Sequence, residues 1–260
     1  MVPTIDKEKL DTYFKELGKL LKKRMKGNIL PCELVVVGGA SIILNYGFRQ
    51  STIDVDCADT NGVLMNEIVN EVAEKYHLPT NWINTDFVNT KSYSNKLFQY
   101  SAFYKSYGNG ALTIRTVKDE YLVAMKIVSA RRYKNDYSDI FGIIDECREK
   151  DKPLEMSLIE KAIVDLYGSL DFADETALLI TKKIIDNDSN LSYSNINNNE
   201  KANAEIIKNK KHIKNQRELD YLLNQLDEAI LINTALKEVE EGKVKDGDKA
   251  LKEIENKYKH

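Results

Sequence analysis

Apolar positions in residues 5–26 recur at helical spacing: Leu10, Tyr13, Phe14, Leu17, Leu20, Leu21 and Met25, with lysines between them. That period predicts an amphipathic helix lying on a core. Pro31 resets the chain, and the β-branched run 33–37 predicts a strand. Residues 40–46 predict a helix ended by Gly47. A second strand is predicted over 53–58. A helix over 61–76 follows, with Leu64, Ile68, Val72 and Tyr76 on one face and Asn61 as its N-cap. Residues 79–85, which include Trp82, predict a short strand. Segments 97–107 and 111–117 flank Gly108-Asn109-Gly110 and predict a hairpin. Helices are predicted over 118–133, 136–149, 156–169 and 172–186.

The stretch 186–199 (DNDSNLSYSNINNN) is rich in Asn and Ser and predicts a linker or exposed loop. Residues 200–260 favour helix again, with Ile206, Ile213, Leu219, Leu222, Leu223, Leu226, Ile230 and Leu236 as an apolar stripe. The order is a helix, then a strand-rich core, then helices. It divides the chain into an N-terminal helix packing on the core (1–28), an α/β core (29–135), a helical domain (136–187), a linker (188–199) and C-terminal helices (200–260).

Composition narrows the class. A chain of 260 residues with 42% hydrophobic side chains supports a packed core. A net charge of −3 does not mark a nucleic-acid binder. Cys32, Cys57 and Cys147 are scattered and form no zinc-ligand spacing. The charged N-terminus is not a signal peptide and no run reaches membrane-spanning length, so a cytoplasmic protein with no membrane partner is expected.

The chemistry-bearing residues lie close together in the chain. Gly38-Gly39 follows the first predicted strand, and Asp54-Val55-Asp56 sits on the second. Carboxylates at i and i+2 on a strand point to one face and suit a hard divalent cation. Glycines let a backbone approach a ligand without a Cβ in the way. Together they predict a phosphate cradle beside a metal site.

Strand, Gly-Gly, helix, strand, Asp-x-Asp resembles the DNA polymerase β-like nucleotidyltransferase superfamily, and its abortive-infection AbiEii-type branch in particular. Arg49-Gln50-Ser51-Thr52 before the aspartates and the later stretch from Lys126 through Arg131 and Asp136 to Asp139 carry the likeness, which spans about 30–170. The resemblance implies an α+β fold: a nucleotidyltransferase-like mixed β-sheet core flanked by helices, followed by an all-helical C-terminal region. It implies that Gly38, Gly39 and the Ser41 hydroxyl hold the triphosphate of an NTP, with Arg49, Ser51 and Thr52 near the phosphates. Asp54 and Asp56 would bind Mg²⁺ (or Mn²⁺). Lys126 would stand near the triphosphate. Of Asp136 and Asp139, one would activate the acceptor or orient Lys126 and the other pair with Arg131.

One departure stands out. Members of the superfamily carry a third carboxylate on a later strand, yet 97–117 contains no Asp or Glu. Asp86 would have to reach in from a loop to replace it.

The resemblance implies transfer of NMP from an NTP to a hydroxyl on RNA, a protein or a small molecule, in the manner of the toxin of a toxin–antitoxin or phage-defence pair with an antitoxin partner. The alternative is a weak or inactive nucleotide-binding or partner-binding module of the same fold. A third reading is a drug-modifying enzyme of the aminoglycoside type, with an acidic cleft.

Overall fold

In the computed structural model the described residues are 4–24, 31–59 and 62–209. The chain divides into two units, Met1–Ala204 and Glu205–His260. Of the second, 205–209 are described, within the last described helix. The expected C-terminal helices, Met25 and the Asn61 cap lie outside the described residues.

The first helix, α1 (Lys7–Arg24), buries Leu10, Tyr13, Phe14, Leu17 and Leu21, as its spacing predicts. Strand β1 (Cys32–Val36) runs into α2 (Gly38–Asn45), and β2 (Val55–Asp59) into α3 (Gly62–Tyr76). Strand β3 is only Ile83–Asn84. The hairpin is β4 (Ser101–Tyr107) and β5 (Leu112–Val117). Helices α4 (Asp119–Ser129), α5 (Asp136–Glu149), α6 (Met156–Tyr167), α7 (Glu175–Ile185) and α8 (Tyr193–Asn209) complete the described chain.

The strands form one mixed sheet in the order β3-β2-β1-β5-β4. β1 is antiparallel to β2 and parallel to β5, while β5 is antiparallel to β4. The middle strand is buried on both faces, which explains its unbroken apolar run. Leu34 and Val36 face a core with Leu10, Phe14 and Leu17 of α1, Ile68 and Val72 of α3, and Trp82. Val35 and Val37 face the other core, with Leu122, Val123 and Ile127 of α4 and residues of α5 and α6. Alternate residues of one strand thus serve two layers of helices.

Helix α1 approaches the hairpin turn very closely. A Cβ at Gly18 would lie 2.7 Å from Tyr107 Cβ and 2.9 Å from Gly108 N. Glycine at 18 is therefore a packing requirement, not a helix preference.

Three expectations need correction. Residues 97–100 are turns, not strand; Tyr100 leaves the sheet to stack on Tyr121 of α4, with ring centroids 4.1 Å apart. The 79–85 strand shrinks to two residues, because Trp82 is drawn into the core, where its indole N–H donates to Val69 O at 3.1 Å. The Asn/Ser-rich segment is not loop throughout: α8 begins at Tyr193. Tertiary contacts of its polar side chains override the composition. Among the described residues no helix is long and apolar enough to cross a membrane.

Candidate functional site

The carboxyl ends of the parallel strands β1 and β5 and the start of β2 meet at one end of the sheet. Open α/β sheets place ligand crevices at such ends. Here the chain leaves β1 through Val37 and enters α2 at Gly38, whose φ is +59°. An L side chain is strained in that left-handed region. No side chain caps α2 at Val37. Its first N–H groups therefore receive no cap from the N-cap side chain, the usual setting for an anion.

Asp56 stands against this bend. A Cβ at Gly38 would come 3.2 Å from Asp56 Oδ2, and the Val37 N–H donates to Asp56 O at 2.9 Å. Asp54 lies just before β2 and not on the strand as expected, because β2 begins only at Val55; it precedes Asp56 by two residues. Among the described residues neither carboxylate takes a hydrogen bond or ion pair from a side chain. Burial pushes the Asp56 carboxyl up from its ordinary value, and the Asp54 charge adds to that push. Arg131, Lys134 and Lys126 pull it down without cancelling the rise. The pair is a half-buried negative centre whose local compensation is incomplete.

Arg49 closes the other side. A Cβ at Gly39 would lie 2.6 Å from Arg49 Nη2 and 3.0 Å from Thr52 Oγ1. The guanidinium thus rests on the second glycine. Thr52 is fixed by paired backbone bonds with Ile5, at 2.7 and 2.9 Å. Ser51 contributes its carbonyl, which accepts from Arg49 Nε at 3.4 Å. Ser41 departs from its expected place. It is fully buried on α2, away from solvent, and its hydroxyl has no partner among the described residues.

Behind the crevice lies a buried chain of charges. Lys126 Nζ donates to Asp136 Oδ1 at 2.9 Å and to Asp139 Oδ2 at 2.6 Å. Arg49 Nη1 donates to both oxygens of Asp139, at 2.8 and 3.1 Å. Arg131 donates its backbone N–H, Nε and Nη2 to Asp136 at 3.0, 2.9 and 3.1 Å. Asp136 and Asp139 are wholly buried. Burial works to neutralise Lys126, but Asp136 and Asp139 outweigh it and hold the amine above its usual range. Burial likewise opposes ionisation of Asp136, yet Lys126 and Arg131 hold its carboxyl far below the usual carboxylate range. The chain of ion pairs reads Arg49–Asp139–Lys126–Asp136–Arg131.

Lys126 thus sits between Asp136 and Asp139, whereas the resemblance put it near a triphosphate. Both aspartates contact it, so the choice between them dissolves. Asp139 takes Arg49 as its second cation, and Asp136 takes Arg131.

No group of three or more potential metal-ligating His, Cys, Asp or Glu side chains occurs among the described residues. On β5, the register places Arg115 beside Val35. Val35 in turn pairs with Ala58, two residues from Asp56, so Arg115 shares the Asp56 face. Ser101 holds the Arg115 guanidinium through Oγ at 2.8 Å and O at 2.9 Å, above the Phe98 ring. Asp86 stands in a short 3₁₀ turn, Asp86–Asn89, beside a cavity of about 480 Å³ that Cys57, Asn66 and Asn84 also line.

Sequence reasoning missed the support from α8. Asn197, Glu200 and Asn203 are buried, and all three bond to the segment that carries Asp136. Their spacing of three residues was the available signal, hidden by a composition that reads as linker.

Residues 8–147, more than half of the chain, match the model of a family described as a nucleotidyltransferase of unknown function (DUF6036). No curated protein and no solved structure matches the chain. With the mixed sheet, the glycine bend and the facing aspartates in place, the family match is decisive: the chain belongs to this nucleotidyltransferase family.

Proposed function

We propose that this protein is a divalent-metal-dependent nucleotidyltransferase that moves NMP from an NTP to a hydroxyl acceptor. The observation that carries this reading is that the Gly38–Gly39 bend lies against both Asp56 and the Arg49 guanidinium, with the Asp54 charge close to Asp56.

The donor set suits Mg²⁺ or Mn²⁺. Asp54 and Asp56 offer hard oxygens without competing side-chain partners among the described residues, and Mg²⁺ is commonly held by one or two carboxylates plus substrate phosphates. The space at Gly38, which a Cβ would narrow to 3.2 Å from Asp56 Oδ2, is where such a phosphate would pass. When bound, the metal supplies charge that polarises the reacting phosphoryl group and orients the attacking oxygen. The chain's own residues do the rest. The first N–H groups of α2 and the Arg49 guanidinium receive phosphate oxygens, with the Thr52 hydroxyl alongside. Arg131, close enough for its charge to act on Asp56, stabilises charge that shifts toward the leaving pyrophosphate. Asp136 and Asp139 are each engaged by two cations. Their task in this reading is to hold Arg49, Lys126 and Arg131 in place before substrate arrives.

The finer reading follows the AbiEii-type resemblance. The acceptor is then RNA or protein, and the enzyme is the toxin of a toxin–antitoxin or phage-defence pair. A second reading is a nucleotide-binding module without turnover. It is favoured by one feature: Arg115, not a carboxylate, occupies the Asp56 face of β5.

Incubation with α-labelled NTPs, Mg²⁺ or Mn²⁺, and RNA or cell extract tests the enzyme reading. Label transfer by wild type and none by Asp54→Ala/Asp56→Ala is expected. Metal-dependent NTP binding in a calorimeter without transfer to any acceptor class would select the binding module. Absence of both binding and transfer would end the proposal.

A further inference from the structure

We propose that Glu200 of α8 is a positioning residue for the nucleotide site, fixing the turn of α5 from which Asp136 and Asp139 hold Arg131, Lys126 and Arg49. The inference rests on the functional reading above.

Helix α5 has no cap of its own, since Asn135 makes no side-chain capping bond. Its first N–H groups need acceptors. Glu200 supplies them from another helix: Oε1 accepts from Tyr137 N at 2.8 Å, and Oε2 from Ser138 N at 3.4 Å and from the Ser138 hydroxyl. Two neighbours on the same face of α8 add to the grip. Asn197 Nδ2 donates to Ser138 Oγ at 3.2 Å, and Asn203 Nδ2 donates to Arg132 O at 2.9 Å. The three side chains clasp the backbone on both sides of Asp136.

The location is what makes the clasp functional. Tyr137 and Ser138 lie between Asp136 and Asp139, so any movement of that turn moves both carboxylates. Each carboxylate carries two cations, of which Arg49 lies against Gly39 and Arg131 is near enough to Asp56 for its charge to act there. A carboxylate is also an expensive choice for a purely structural cap here. Burial pushes Glu200 up to about 7, with the charges of Asp139 and Asp136 adding to the rise. An amide or hydroxyl would meet less repulsion. Glu200 lies beyond residues 8–147, so the family match does not include this support.

The test uses the full chain and reads Lys126, whose side chain is 8% exposed. Wild type and Glu200→Ala are treated with an amine acylating reagent, and modification of Lys126 and of exposed Lys150 is followed by peptide mass spectrometry. Hydrogen exchange at the β1 amides reports global opening in parallel. The expected result is at least a tenfold faster Lys126 modification in the variant, with β1 exchange and Lys150 modification changed less than threefold. NMP transfer should show a matching tenfold fall in kcat/KM. Lys126 protection equal to wild type, or a rise no larger than that of β1 exchange, overturns the proposal, because Glu200 is then only a stabilising cap. If Glu200→Ala does not fold, Glu200→Gln takes its place. Its amide keeps one acceptor and sets a donor against Ser138 N–H, so at least a threefold rise is expected. The labelling arm decides the role of Glu200 even if wild type transfers no nucleotide, an outcome that would defeat the functional reading instead.

Discussion

The buried charge chain makes a prediction that a double-mutant cycle can refute. Asp139→Asn keeps the shape of the side chain and removes the charge between Arg49 and Lys126, which lie 2.8 and 2.6 Å from it. Asp139 is wholly buried and Lys126 nearly so, so screening by water is slight. Breaking a buried pair by removing one partner costs about 3–5 kcal/mol. Lys126→Met removes the cation from two carboxylates, each of which keeps an arginine, and falls at about 3 kcal/mol, the low end of that range. Removing both partners leaves Asp136 with Arg131 and relieves the Arg49–Lys126 repulsion. The double variant should therefore be more stable than the summed single effects predict, by about 2–3 kcal/mol. For a unit of this size, about 1 kcal/mol corresponds to roughly 2–4 °C in Tm. Each single variant should thus melt at least about 6 °C below wild type, at 3 kcal/mol or more. The assay is urea unfolding of the four proteins followed by circular dichroism. Additivity to within about 0.5 kcal/mol, the usual scatter for independent sites, would refute a shared ion-pair network.

Other predictions follow from single features. Glu200 titrates near 7 in the fold, against an ordinary value of 4.5, so the native state holds its proton longer than the unfolded chain. Its contribution to stability is full below about 4.5 and is lost as pH rises to about 7, by on the order of 3 kcal/mol. Glu200→Gln should flatten the fall in urea midpoint between pH 5 and pH 8, and an unchanged profile would assign it to other groups. Asp56→Asn should abolish metal-dependent NTP binding while leaving Tm equal or higher, because its carboxylate is half-buried and repelled by Asp54; a large fall in Tm would mean that the pair is structural. Gly38→Ala forces an L residue to φ +59° with its Cβ 3.2 Å from Asp56 Oδ2. A loss of about 1–2 kcal/mol, read as a few degrees in Tm, together with weakened nucleotide binding by calorimetry, is expected. Wild-type binding by that variant would remove the bend from the site.

The local pattern carried most of the architecture. The period of α1, the unbroken apolar run of β1 and the hairpin around Gly108-Asn109-Gly110 each follow from short-range rules of spacing and turn geometry. Gly38, Asp54 and Asp56 were legible as a group from their spacing, and the fold sets Gly38 against Asp56. What lay beyond the sequence was pairing. Lys126, Asp136 and Asp139 were recognisable as a group, but their mutual engagement depends on how α4 turns into α5, through Ala130 at φ +44°. The stretch around Asn197 and Glu200 carries a composition that usually stays solvated. It folds as helix because three of its polar side chains find buried partners on another element, and no local rule contains those partners. Spacing along a chain determines which face a residue presents; only the packing of distant segments decides which charges meet there.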